Sequence, residues 1–397
     1  MSQRRETTRA TSAEAVLAWA FATGAFTASE AIDATGLTRS TVLAACSELV
    51  RLGWLRDLDD ARAAGEYRKG RPARRYELDA GAGVVVGVDA GQHRVTVLVA
   101  DLRGVVLTRT EGSLGESGLE VPVRLRVTEE TVAAALAAAA VDPSRVLVTV
   151  VGIPAPVDAT GASPDDGGFW NSMNPGFAGI VSHGVVVVEN DANAAALAER
   201  PSSGDASFAA LLSGERFGAG LVVDGALLRG ARGGAGELRV LDLVDGVASS
   251  DGIGRTARTL VSAARAEGRV GAGSLLGGDE EPGAAEVFAA AALQDPVALE
   301  VVDGLGDRLA RVCVLLASLL DIDRVVVAGA IADAAGPVID RAREHLAAWD
   351  YDPTPEVVAS RLGGDVVVLG AVARALDAVH ADPMAFPLPA PRPVVTA

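Results

Sequence analysis

A chain of 397 residues with 49% apolar and 22% charged side chains is long enough for two or three domains and too apolar for wholesale disorder. No uncharged apolar run approaches the ~20 residues that cross a bilayer, no secretory-type apolar segment follows Arg4, Arg5 and Arg9, and two cysteines, Cys46 and Cys313, exclude a disulfide framework. A net charge of −17 excludes a uniformly basic nucleic-acid binder, yet residues 1–78 carry 12 Arg/Lys against 10 Asp/Glu, leaving +2 there and −19 on the rest, as suits a DNA-contacting head on an acidic body.

Along the chain, Thr11 with Glu14 makes a capping box that predicts a helix start, and Ala15, Val16, Ala18, Trp19 and Ala22 give that helix an apolar face. Thr27 with Glu30 makes a second box, for a short helix to about Ala34 that Gly36 ends; Leu37 packs under the turn. Thr38 is the N-cap of a third helix, Arg39 to Leu52, ended by Gly53. Three helices with a tight Gly-containing turn between the last two fit a helix-turn-helix. Trp54-Leu55-Arg56 reads as a short strand, Asp57 to Gly65 as a polar loop, and Arg74 to Leu78 as the returning strand, which together make a wing.

In such a unit the first residues of the third helix reach base edges, here Arg39, Ser40 and Thr41, with Ala44 and Ser47 continuing the face. Arg39 can read a guanine, while Ser40 and Thr41 suit phosphate or several bases. Arg68, Lys69, Arg71, Arg74 and Arg75 in the wing can neutralise phosphates, and Arg71 suits a narrow minor groove. The alternative is a helical dimerisation module with a solvated basic loop.

From Ala82 the pattern changes. Val84 to Gly91 is a strand running into a Gly turn, Val95 to Ala100 a second strand and Val105 to Thr108 a third, with Asp101 to Gly104 as the turn between them. Val132 to Val141 is a buried Ala-rich helix. The strand layout recurs: Phe208 to Leu212, the Gly turn Ser213 to Gly218, Gly220 to Val223, an Asp224-Gly225 hairpin and Ala226 to Leu228. Two similar α/β lobes with a ligand cleft between them are expected. Val301 to Leu320 is a long helix, Arg324 to Ala328 a buried strand, Pro337 opens a helix to about Ala348, and Asp365 to Leu369, Gly370 and a helix from Ala371 to Val379 close the lobe. Five prolines after Asp382 predict a disordered tail. The expected domains are therefore 1–80, 82–381 and the tail 382–397.

Four segments in order carry a resemblance: Gly87-Val88-Asp89-Ala90-Gly91, Gly152 to Asp158, Glu189 to Glu199, and Gly230 to Leu238 with Ala235-Gly236-Glu237. Behind a winged helix, they resemble the ROK family, which groups sugar kinases with sugar-responsive repressors; Gly70-Arg71-Pro72 is similar to the wing motif of the repressor branch. The resemblance implies a two-lobed, actin-like and hexokinase-like α/β fold, homodimers or homotetramers, and sugar contacts from Asn190, Asp191 and Glu237. Asp191 would be the base in a kinase. On local sequence alone, Asn190 and Asp191 read equally well as a helix cap, Glu237 as a surface charge and Glu199 as a structural helix residue.

The chain departs from the kinase pattern in three places. Gln92, His93 and Arg94 replace a Gly-Thr-Lys-like continuation, and Gly214-Glu215-Arg216-Phe217-Gly218 replaces a second phosphate loop, with Glu215 aimed at a phosphate and Arg216 able to offset it. Val240 stands at the family's histidine position, and residues 241–260 offer mainly Asp242, Asp245 and Asp251, a poor donor set for zinc. ATP and zinc are therefore not expected, and no catalytic residue is. The expected protein is a cytoplasmic, DNA-binding transcriptional regulator of carbohydrate genes, probing operator DNA with its head and a sugar or sugar phosphate with its body. An ATP-dependent sugar kinase is the alternative.

Overall fold

The computed structural model describes residues 2–58, 74–165, 167–203, 206–271, 273–278, 281–349, 352 and 354–389. The head comprises α1 (Ser2–Ala22), β1 (Phe26–Thr27), α2 (Ala28–Thr35), α3 (Arg39–Leu52), β2 (Leu55–Leu58) and β3 (Arg75–Leu78). The Thr27/Glu30 capping box forms as expected, and Gly36 and Gly53 end α2 and α3 with left-handed φ of 67° and 85°. α1 differs from expectation: it runs from Ser2 straight through Thr11, because residues 2–11 contain neither Gly nor Pro to stop it. Antiparallel β2 and β3 flank the wing, in a small sheet of order β1-β3-β2. Arg68, Lys69 and Arg71 lie outside the described residues.

The body repeats one topology twice. The first lobe contains β4 (Val84–Ala90), β5 (Arg94–Asp101), β6 (Val106–Ser113), α4 (Val121–Ala138), β7 (Val146–Ile153), α5 (Phe169–Met173) and β8 (Val185–Asn190). α6 (Asp191–Ser203) then crosses to the second lobe, which has β9 (Phe208–Leu212), β10 (Gly218–Val223), β11 (Ala226–Leu227), α7 (Ile253–Ala266), α8 (Ala284–Ala292), α9 (Pro296–Leu320), β12 (Arg324–Ala328), α10 (Gly336–Trp349) and β13 (Glu356–Ala359). α11 (Val366–Ala381) returns. The sheets run β6-β5-β4-β7-β8 and β11-β10-β9-β12-β13, each with two antiparallel hairpin pairings followed by two parallel ones. The strands buried on both faces, such as β7, are near-continuous apolar runs rich in Val. This is the expected actin-like pair of lobes.

Between the lobes α6 and α11 lie in close contact. A Cβ at Gly370 would sit 1.7 Å from the Ala194 carbonyl oxygen, so the helices approach where neither has bulk. Val366 to Leu369 join α11, with Asp365 at its N-cap, rather than standing apart from it. Val366 and Val367 pack with Ala194, Ala195 and Ala196, and that packing outweighs the helix cost of β-branching.

The head is docked rather than tethered. One apolar cluster joins Leu17, Phe26, Leu49, Trp54, Tyr76 and Leu78 of the head to Val85, Leu98 and Leu102 of the first lobe and to Val372, Ala375 and Val379 of α11. Arg103 donates to the Thr23 carbonyl at 2.8 Å, and His380 lies against Phe21 with ring centroids 4.0 Å apart. The first half of the expected tail is structured: Pro383–Ala385 forms a turn capped by Asp382, and Met384, Phe386 and Leu388 pack on the same cluster. Their apolar area outweighs the local proline signal. Residues 390–397 lie outside the described residues.

Candidate functional site

The cleft forms where β4, β8 and the loop after β11 end. Asn190 closes β8, and Asp191 opens α6. The Asn190 side chain serves as a cap: its Oδ1 accepts the Asn193 N–H at 3.0 Å, and its Nδ2 donates to the Ala155 carbonyl at 3.1 Å. One amide N–H and one lone pair remain for a ligand. The Gly230 to Leu238 loop reaches across to the first lobe. Gly233, with φ of 70°, lies so near the Val157 carbonyl that a Cβ would come within 1.9 Å of it, and Gly236, with φ of 86°, presses likewise on Ala219. These approaches place Glu237 opposite Asp191.

Asp89 of the first lobe and Glu237 of the second thus lie near enough to Asp191, at the start of the crossover helix, for their charges to act on it. Burial pushes Asp191 up to about 8, with the Ala192 N–H opposing and the charges of Asp89 and Glu237 adding. Burial raises Asp89 to about 7, against the pull of Arg94 and Arg124. Glu237 is also raised by its enclosing walls, although its side chain stays accessible and Arg216 and Arg239 oppose the shift. Around neutral pH Asp191 keeps its proton and Asp89 titrates, so the pair offers both hydrogen-bond donors and acceptors, as a polyol requires.

Two groups that sequence reasoning passed over organise this cleft. Glu189, 1% exposed, takes a two-point ion pair from Arg229, with contacts of 2.8 and 2.7 Å, and accepts Asn193 Nδ2 at 3.1 Å. Arg124, fully buried, donates to the carbonyls of Ala90, Gly91 and Met173. The only signal for either was a charge in an apolar run, which local sequence cannot pair with its distant partner. Glu199 is also buried and accepts the Ser360 hydroxyl.

The phosphate-side loops are packed with protein. The turn after Asp89 lies under Gly115 to Leu119, where a Cβ at Gly118 would meet the Gln92 carbonyl at 1.7 Å. Glu215 is neutralised by Arg258 of α7, both carboxylate oxygens lying 2.6–2.7 Å from Nη2, and not by Arg216, which reaches Ser250. The first amides of α7, Gly254 and Arg255, donate to the Gly214 carbonyl. This loop therefore presents the Glu215 carboxylate, while the first amides of α7 are taken up by the Gly214 carbonyl, a set of groups that fits a nucleotide phosphate poorly. In the 241–260 segment Asp242 accepts the Ser250 N–H and Asp251 pairs with Arg255. Among the described residues no three metal-ligating side chains converge.

On the head, Arg39, Ser40, Ala44 and Ser47 are exposed along one side of α3 and Thr41 is half-buried. The Thr38 hydroxyl lies 3.2 Å from that of Ser40 and 2.8 Å from that of Thr41, so the start of α3 is held in one arrangement. Arg74 is exposed 3.8 Å from Asp57, and Arg75 is half-buried in β3.

The family model for the ROK family matches residues 85–378. No curated protein matches the sequence. Among solved structures the chain is similar to a ROK family transcriptional regulator, a homolog of the E. coli MLC protein, with a TM-score of 0.72, 20% identity and coverage of 93% of this chain and 96% of that one. It is also similar to a ROK family glucokinase from Streptomyces griseus in complex with glucose and AMPPNP, with a TM-score of 0.58, 26% identity and coverage of 74% of this chain and 100% of that one. A ROK hexokinase from Thermus thermophilus matches with a TM-score of 0.53 and 26% identity over 75% of this chain and 99% of that one. The chain belongs to the ROK family.

Proposed function

We propose that the protein is a cytoplasmic transcriptional regulator that reads an operator with α3 and its wing and responds to a sugar bound by Asp191, Glu237 and the free valences of Asn190. The observation that carries this reading is the docked winged-helix unit with the exposed row Arg39, Ser40 and Ala44. The similarity of the whole chain to a regulator, against three-quarters of it to the kinases, supports the same reading. Arg39 and Thr41 at the start of α3, with Arg68, Lys69 and Arg71 in the wing, are the proposed DNA contacts. A two-fold operator would require a homodimer or a dimer of dimers.

In this reading a sugar closes the cleft, closure moves the heads relative to each other, and operator affinity changes by the ligand's differential affinity for the two states. The test has two steps: selection of a binding sequence from a random duplex pool, then anisotropy titrations against a panel of neutral sugars and sugar phosphates. A selected sequence whose affinity shifts with one sugar supports the proposal; failure to select any sequence rejects it.

The second reading, an ATP-dependent sugar kinase, is favoured by Asp89 and Asp191 in one cleft, since carboxyls that titrate at pH 7 to 8 can exchange a proton with a substrate hydroxyl near the working pH. A coupled ATP assay over the same panel decides it: turnover abolished by Asp191→Asn would establish the kinase.

A further inference from the structure

Among the described residues, Glu189 is a fully buried carboxylate at the cleft that neither the ligand reading nor the DNA reading uses. It has three kinds of partner, each on a different part of the fold. The Asn190 N–H and Asn193 Nδ2 belong to the floor of the cleft, at the start of α6. Arg229 stands at the root of the loop that carries Glu237. Arg374 belongs to α11; its Nε lies 3.8 Å from Glu189 Oε2, is buried, and has no hydrogen-bond partner among the described residues. One carboxylate is thus shared unequally by two guanidinium groups, a close one on the cleft loop and a distant one on α11.

α11 is the element that touches both ends of the molecule. Val366 and Val367 pack with Ala194 to Ala196 beside the cleft, and Arg200 of α6 pairs with Asp377 at 2.7 Å. Roughly 21 Å along the helix from Val366, His380 lies on Phe21, and Val372, Ala375 and Val379 share the apolar cluster with the head. A buried carboxylate is costly to leave unpaired, so a displacement of the 229–238 loop must either carry Glu189 along or hand it from Arg229 toward Arg374. Either outcome changes the restraint on α11, and α11 cannot shift without repacking against the head.

We propose that Glu189 is the joint that couples the cleft loop to the DNA-reading head, with Arg229 as the input arm and Arg374 on α11 as the output arm. This rests on the ligand-responsive reading above, but its test uses neither sugar nor operator, so a sugar panel that finds no ligand would sink that reading and leave this coupling to be judged on its own.

Hydrogen exchange on the full-length protein compares the wild type with Arg229→Gln, Arg374→Gln and the double variant. Arg229→Gln is expected to speed exchange in 229–238 and, about threefold or more, in residues 12–22 of α1 and in β3. The head effect is expected to vanish when Arg374→Gln is added, while the loop effect stays, and Arg229→Lys is expected to restore head protection. β12, remote from both arms, serves as the control. A head unchanged in Arg229→Gln overturns the proposal, as does a head effect undiminished in the double variant. Acceleration of β12 to the same degree overturns it too, since that would be general loosening.

Discussion

Asn190 and Asn193 are joined twice over: the Asn193 N–H is accepted by Asn190 Oδ1 at 3.0 Å, and the Asn193 amide in turn holds Glu189, whose carboxylate accepts the Asn190 N–H. The helix-cap reading of this motif and the ligand-contact reading are therefore compatible, because the cap is what fixes the residue that would face the ligand. Asn190→Ala removes the cap and the tether to Ala155. A loss of about 2 kcal/mol is expected in urea denaturation, from one helix cap and one buried hydrogen bond.

The pH dependence of stability follows from the raised carboxyls. Asp191 and Asp89 ionise at about 8 and 7 in the folded chain against 3.8 as the ordinary value, so between those limits the folded state holds more protons than the unfolded one. Their contribution is fully present below pH 3.8 and is lost as pH rises through 7 to 8, with a slope of at most about 1.4 kcal/mol per pH unit per proton. Denaturation midpoints measured from pH 6 to 9 are expected to fall for the wild type, with a flatter profile for Asp191→Asn.

The Glu215–Arg258 pair is exposed on its acidic side, with Glu215 57% accessible. Arg258→Ala is expected to cost less than about 1 kcal/mol of stability. Glu215→Gln leaves the Arg258 cation free beside the loop, and if this carboxylate is what repels a nucleotide, AMPPNP binding by calorimetry is expected to be about fivefold or more tighter than any seen with the wild type, from removal of one like charge. An unchanged affinity would show that the loop does not face a nucleotide.

Arg39→Ala is expected to weaken binding to a selected duplex by about 1–3 kcal/mol and to relax preference at one base position. A variant that only lowers the salt slope by about one unit, with all sequences affected alike, would instead place Arg39 on a phosphate.

Leu388 fits between the end of α3 and the start of the first lobe, 3.9 Å from where a Gly53 Cβ would lie and 3.2 Å from one at Gly83. Ending the chain after Asp382 removes Met384, Phe386 and Leu388 from the shared cluster. A loss of about 2–4 kcal/mol is expected in head stability, read as faster exchange in α1 and β3. Exchange equal to the wild type would show that the segment carries no load.

Local signals were enough for what local physics decides. Thr27, Glu30, Gly36, Thr38 and Gly53 set the limits of α2 and α3, because caps and left-handed turns act within four residues. The duplicated strand layout was equally legible, since hairpins and apolar runs are short-range patterns. The Thr11/Glu14 box misled because a capping pair marks a start only where the preceding chain is not already helical. Tertiary structure alone decided that Arg258 rather than Arg216 meets Glu215, that Glu189 draws Arg229 and Arg374, and that a proline-rich end packs beneath the head. Those contacts join residues 40 to 300 positions apart or more, and charge pairing and apolar burial act through space, so nothing in the neighbouring residues could announce them.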